Sequence, residues 1–280
     1  MSSTEAPADG AGMLVRELLL QLEQLPPAQA AALRVVQIVD DPDSSAAGVA
    51  TAASVDPALT ARMLRMANSA YYGLSGRVAS ASAAVTVIGF DTVRSLAALA
   101  AAGLGPDGEL PPGFWSRGAA TASGAALLAR RVGADVPQAF CVGILHDLGT
   151  ALLWRNNPAL HRTLLARAVT GPPAHVLEFR EYGATHATLG ADVLGTWNFP
   201  EDLCTAIGRH HDPPSAGATP LRRALQGGIA LAGLAARSVR AQDRFVVASL
   251  AAAGVGVADR TDLVAQVRSE GQALAGALLS

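Results

Sequence analysis

Residues 56–73 read Asp-Pro-Ala-Leu-Thr-Ala-Arg-Met-Leu-Arg-Met-Ala-Asn-Ser-Ala-Tyr-Tyr-Gly. Asp56 can cap the free amides at a helix start, and Pro57 loses nothing at the first helical position. The helix runs through Leu59, Met63 and Met66 to Asn68, with the two methionines expected as core filler. Tyr71-Tyr72-Gly73 to Gly76 is loop-like. Asn68, Tyr71 and Tyr72 are expected to fix that loop and its capping hydrogen bonds rather than bind a base.

The same helical period extends to both sides. Upstream, residues 1–12 have the composition of a disordered leader, and Leu14, Leu18, Leu19, Leu22 and Leu25 form one apolar face up to Pro26-Pro27. Leu33, Val36 and Val39 follow, ending at the turn Asp40-Asp41-Pro42-Asp43. Downstream, helical patterns occupy 82–88 and 93–104 around a break at Gly89. The breaker-rich run Gly105 to Gly113 predicts a boundary between an N-terminal bundle, 13–105, and a second bundle, 112–240. Helices are expected over 114–132, 138–153, 178–197, 200–210, 222–238 and 244–252. Thr261 should cap a last helix to Leu279, and residues 241–280 should pack on the body. No strand pattern and no internal repeat is present, so the expected fold is all-α.

Composition agrees: 50% of the 280 residues are hydrophobic but only 4% aromatic, with Ala and Leu in excess. All 21 basic residues are Arg, and the formal net charge is −2, so no overall positive field favours nucleic acid. The pairs Arg130-Arg131 and Arg222-Arg223 read as solvated surface. Cys141 and Cys204, both in apolar helical sequence, read as buried thiols of a reduced, cytoplasmic protein. The N-terminus lacks the pattern of a signal peptide. The longest apolar run expected from sequence, Phe245 to Ala258, has 14 residues with two Gly and one Ser, so no membrane partner is expected.

Chemistry is concentrated in the second half: His146-Asp147 within Ile-Leu-His-Asp-Leu-Gly (144–149), His186 within Thr-His-Ala-Thr-Leu-Gly (185–190), and His210-His211. Spacing alone decides little. Adjacent helical residues diverge by about 100°, so His146 and Asp147 can share a metal only near a helix end or across a pocket. On spacing alone, the expected reading is a satisfied core histidine beside a capping or ion-paired aspartate. His161 and His175 lie in a polar, Arg-rich, Pro-interrupted connection and read as solvated.

The order of these pieces resembles the HDOD family, a branch of the HD superfamily found in bacterial signalling proteins. The likeness rests on 56–73, on Val87-Ile88-Gly89, on 144–149 and on the later histidines, and spans about residues 20–240. It implies an N-terminal helical bundle packed against an HD-like helical bundle. In catalytic relatives a histidine, the His-Asp pair and a later aspartate hold divalent metal, which polarises phosphate and generates hydroxide. Counting back from His146 places Arg117 where the first histidine belongs, and a guanidinium cannot be a ligand. The last aspartate is expected at Gly233. The degenerate site is therefore His146, Asp147, Arg117 and Gly233. A replacement chemistry follows, with Arg117 neutralising Asp147.

His186, His210 and His211 resemble the additional histidines of HD-GYP phosphodiesterases, so together with His146 and Asp147 they are the candidate contacts for a divalent metal or ligand. The resemblance also makes the loop around Asn68, Ser69, Tyr71 and Tyr72 a candidate interaction surface. Three functions compete. The first is a non-enzymatic signalling module acting through a protein partner, with no catalytic residue and no required cofactor. The second is a metal-dependent phosphohydrolase or cyclic di-nucleotide phosphodiesterase with a rearranged site. The third is an effector that binds a nucleotide second messenger such as cyclic di-GMP or a guanosine alarmone.

Overall fold

The computed structural model describes Glu17, Leu20 and residues 25–104 and 109–279. The 1–12 leader, most of the Leu14–Leu25 face and the first part of the 105–113 boundary lie outside the described residues. Those described form α-helices and connecting turns, with no strand among them.

Five helices precede the boundary: α1 (Pro27–Val39), α2 (Ala46–Ala53), α3 (Pro57–Ala67), α4 (Ala81–Ile88) and α5 (Phe90–Ala101). Helix α3 starts as its sequence dictates, with Asp56 Oδ1 accepting from the amides of Ala58 and Leu59 at 2.9 and 3.1 Å. Leu59, Met63 and Met66 are buried. Asn68 closes the following loop: its amide donates to Val78 O at 2.7 Å, and its carbonyl accepts from Val78 N–H at 3.0 Å. Ser69 is buried, and Tyr71 packs edge-on to Tyr72 and against Phe140 of the second bundle. Tyr71 thereby joins the two bundles, while Asn68, Tyr71 and Tyr72 are each half-buried.

The second half contains α6 (Phe114–Val132), α7 (Val136–Leu145), α8 (Leu148–Asn156), α9 (Pro158–Ala168), α10 (Ala174–Tyr182), α11 (His186–Thr196), α12 (Glu201–Gly208), α13 (Pro220–Ala235), α14 (Arg244–Ala252) and α15 (Arg260–Leu279). Helix α6 is the hub, packed against α7, α13 and α15. Small residues permit this closeness. A Cβ added at Gly143 would overlap the backbone of Ala122, and one at Gly228 would lie 2.7 Å from Ala125 N. Arg94 on α5 ties the halves together: it grips Asp40 with both terminal nitrogens at 2.7 Å, donates to Asn198 O at 2.7 Å, and lies 4.1 Å over the Phe199 ring.

Three sequence expectations need correction. The helix expected over 138–153 is two helices, α7 and α8, divided at His146-Asp147. The one expected over 178–197 is also two, because Gly183 adopts φ +67° and Thr185 opens a new helix with a capping box to Thr188. The connection assigned to His161 is helix α9, with Asn157 as its cap and Pro158 in its first turn. Cys141 is buried, whereas Cys204 is only partly so. The stretch Val136–Asn156 has the length and apolarity of a membrane span, but the His146-Asp147 break divides it and 83% of its most apolar window is buried inside the protein.

Helix α15 returns across both halves. Leu263, Val267, Leu274 and Leu278 are buried, Glu270 accepts from Ser123 Oγ at 2.6 Å, and Arg65 donates to Ala277 O at 3.2 Å. Burial of each such apolar side chain contributes about 1.5–3 kcal/mol before ordering costs. Truncation after Val257 should therefore lower the urea midpoint and expose α6; an unchanged midpoint would mean that α15 contributes no stability. Gly143→Ala should force α6 and α7 apart and cost about 1–3 kcal/mol, measured by the same denaturation.

Candidate functional site

The chain bends between α7 and α8, and this bend brings adjacent residues to one centre. His146 is the C-cap of α7, just beyond Leu145, with its Nδ1 within 2.7 Å of Gly143 O; Asp147 precedes the first residue of α8 but makes no capping bond to it. The Asp147 carboxylate turns instead toward its neighbours. Arg117 Nε donates to Oδ2 at 3.0 Å, while Oδ1 lies 3.6 Å from His146 Nε2, 4.0 Å from His186 Nε2 and 3.4 Å from Thr150 Oγ1. Arg117 Nη1 also donates to Pro112 O at 2.9 Å, so the guanidinium is held from two sides.

His186 arrives on the first residue of α11. Its approach depends on Gly149, where any Cβ would overlap the His186 carbonyl, and on Gly190, whose own Cβ would lie 3.2 Å from Gly149 N. The glycines that close the 144–149 and 185–190 motifs thus let α8 and α11 touch backbone to backbone. His210 and His211 follow the end of α12. His210 Nδ1 lies 2.7 Å from Ile207 O, and His211 Nε2 lies 2.9 Å from His186 Nε2. Ring centroids are 5.3 Å apart for His186 and His210, 5.6 Å for His146 and His210, and 4.0 Å for His210 and His211. His186, His210 and His211 each offer a ligand atom within 4.8 Å of the others.

Two further residues, not anticipated from sequence, complete the cluster. Glu178 on α10 is buried, and its Oε2 accepts from the His186 backbone N–H at 2.9 Å and pairs with Nδ1 at 2.6 Å. His175, on the same helix, stacks on His211 with centroids 4.1 Å apart and planes 17° from parallel. His161, expected to be solvated, is wholly buried, whereas His175 is half-buried against His211. The signal that could have found Glu178 is Gly183: once the helix breaks there, a residue eight positions before His186 can fold back onto it.

Gly233 is not where an aspartate would meet the histidines. A Cβ there would lie 2.9 Å from Val239 Cγ2, in the turn after α13. The α13 side chain that does reach the site's backbone is Gln226, donating to His210 O at 3.1 Å and Asp212 O at 2.7 Å. The absence of an anchoring motif in that helix explains the misplaced register.

Electrostatics follow from burial and from who sits beside whom. Burial holds His146, His210 and His211 below the ordinary histidine range, and neighbouring ring charges push the latter two the same way. Burial also opposes a charge on His186, but the Glu178 carboxylate outweighs it and the pKa is raised. For Asp147, burial pushes upward, yet His146, Arg117 and His186 together hold it well below the usual carboxylate range. Arg117 is the permanent cation among them.

A metal centre of the HD type needs neutral imidazoles and a carboxylate free to bind. Burial meets the first need at His210 and His211, and Glu178 fixes His186 with Nε2 toward its partners. Zinc–nitrogen bonds of about 2.0–2.1 Å would require His186 and His211 to separate slightly from 2.9 Å. His186, His210 and His211 therefore fit one divalent ion, whereas Asp147 Oδ2 is engaged by Arg117.

Comparison with known proteins agrees with this architecture. A crystal structure from Shewanella amazonensis, whose name carries a provisional phosphohydrolase assignment, is 26% identical, with a TM-score of 0.72 over 93% of this chain and 98% of that one. An HDOD domain protein of unknown function from Geobacter sulfurreducens shares the fold at 22% identity and a TM-score of 0.62, over 97% and 98% of the two chains. So does a provisionally assigned signal transduction protein from Marinobacter aquaeolei, at 22% and 0.70, over 99% and 68%. An uncharacterized protein of Treponema pallidum is 27% identical over 201 residues, 70% of this chain, and the chain spans 39% of that curated relative's length. The model of the HDOD domain matches residues 25–213, which include the α3 motif, the His-Asp bend and the later histidines; the chain belongs to the HDOD domain family.

Proposed function

We propose that this chain is a cytoplasmic signal-transduction module that acts through contacts with a partner protein, and that its HD-type centre serves structure and regulation rather than hydrolysis. The observation that carries this reading is the 3.0 Å bond from Arg117 Nε to Asp147 Oδ2. A fixed cation holds the carboxylate oxygen that a catalytic metal would need, at the position where the family's ligand pattern has a histidine. The net charge of −2 supports a protein rather than a nucleic acid as partner.

A second reading is favoured by a different observation, the three ligand atoms of His186, His210 and His211 within 4.8 Å. A divalent ion there would polarise a phosphate and lower the pKa of its bound water. In that reading the chain is a phosphohydrolase with a rearranged site. His186 is oriented by Glu178, His211 is braced by His175, and Arg117 restrains Asp147. Metal analysis of the purified protein, followed by phosphodiester hydrolysis assays with added manganese or iron, separates the two. Turnover that tracks stoichiometric metal would overturn the regulatory reading.

Arg117→Ala should destabilise the domain by about 1–3 kcal/mol at pH 7, toward the low end because the Arg117 side chain is 45% exposed. Asp147 has a depressed folded pKa, so its contribution is present above the ordinary carboxylate range and is lost as pH falls through the folded value. The variant, lacking the cation, protonates Asp147 first. The stability gap between wild type and variant should therefore narrow below about pH 4, as read by urea midpoints across pH; a constant gap would place the effect elsewhere. Arg117→His frees Asp147 and adds a ligand, and should raise manganese affinity measured by calorimetry.

A further inference from the structure

Helix α9 carries a histidine with no evident business in the interior. His161 is 0% exposed, and neither ring nitrogen has a hydrogen-bond partner. Leaving such groups unpaired is costly, and replacing them with apolar atoms would remove the cost. The ring lies beside Trp154 and Tyr182, at centroid distances of 6.3 and 6.4 Å, and the Trp154 Nε1 and Tyr182 hydroxyl are also unpaired. The nearest charge is Glu178, whose Oε1 has no partner either and lies 3.9 Å from His161 Nε2. That separation exceeds a direct N–H···O bond of about 2.7–3.2 Å, and a turn of the carboxylate about its last torsion would shorten it.

We propose that His161 is a positioning residue for His186, acting through Glu178. The carboxylate has two oxygens with separate duties. Oε2 accepts from both the backbone and the ring of His186. A carboxylate anchored on one oxygen alone can turn about its last torsion, which is broad. Donation from His161 Nε2 to Oε1 holds the plane so that Oε2 stays on both His186 donors. The proton of His186 then remains on Nδ1, and its Nε2 lone pair faces His211 and His210. The proposal concerns the same histidine centre as the functional reading but does not depend on a metal filling it.

Nitrogen-15 NMR of the imidazoles tests it in the unmodified protein: His161 should be protonated on Nε2 and His186 on Nδ1. His161→Phe keeps an aromatic ring and removes the donor. It should leave His186 as a mixture of tautomers and lower affinity for zinc, added alone as the probe, by about tenfold to a hundredfold. His161→Gln, which retains a donor, should stay close to wild type in both measurements. Wild-type His161 protonated on Nδ1 would overturn the proposal, as would a Phe variant whose His186 tautomer is unchanged. Equal losses in the Phe and Gln variants would overturn it too, because shape rather than donation would then be responsible. Failure of the wild type to take up zinc counts against the three-histidine metal reading alone, and the tautomers still decide this one.

Discussion

No side chain fits between α8 and α11 where Gly149 faces the His186 carbonyl, and that backbone contact sets the geometry of everything around it. Asp147 stands two residues before the contact and His186 is one of its two sides, so their separation is dictated by main chain rather than by side-chain rotamers. Glycines at both ends of the crossing supply the space. The bend at His146-Asp147 then does what a continuous helix cannot, turning two neighbours that would diverge by about 100° toward one centre. A site assembled from backbone contacts tolerates little drift, which suits a constellation held by hydrogen bonds of 2.6–3.0 Å.

Burial makes this centre electrostatically demanding. Five imidazoles and two carboxylates lie in or beside it, and His186 alone among these rings pairs closely with a carboxylate, that of Glu178, which raises its pKa. The remaining rings are kept neutral by burial and by one another. Arg117 reaches in from the edge and balances Asp147 without requiring any ring to protonate.

Helical class and most element positions were legible from periodicity and caps: α6 spans the residues that apolar spacing and flanking glycines outline, and α3 begins at its Asp-Pro signal. What periodicity could not show was where a long apolar pattern stops being one helix. Every residue of 139–154 is buried, so the bend at His146-Asp147 leaves no gap in the hydrophobic pattern. Helix α9 was hidden for the opposite reason, since its Arg-rich sequence carries a weak apolar stripe, with His161 and Leu164 as its buried positions. His161, His175 and Glu178 all belong to this misread region. The motif order named the other site residues only through family likeness, and in α13, where no motif anchors the count, Gly233 was placed on the wrong face.

Arg94 gives the two-bundle arrangement a thermodynamic character. Its fork is bidentate on Asp40 at the end of α1, capped by Asn198 O between α11 and α12, and stacked on Phe199, so one planar group satisfies partners from both bundles at once. A lysine could not reproduce that fan of donors. With Tyr71 against Phe140 and α15 across α3 and α6, neither bundle can unfold without stripping partners from the other. The α11–α12 turn, one short helix from His210, thus shares a single guanidinium with the end of α1, and a disturbance there strips a partner from the bundle that carries α1.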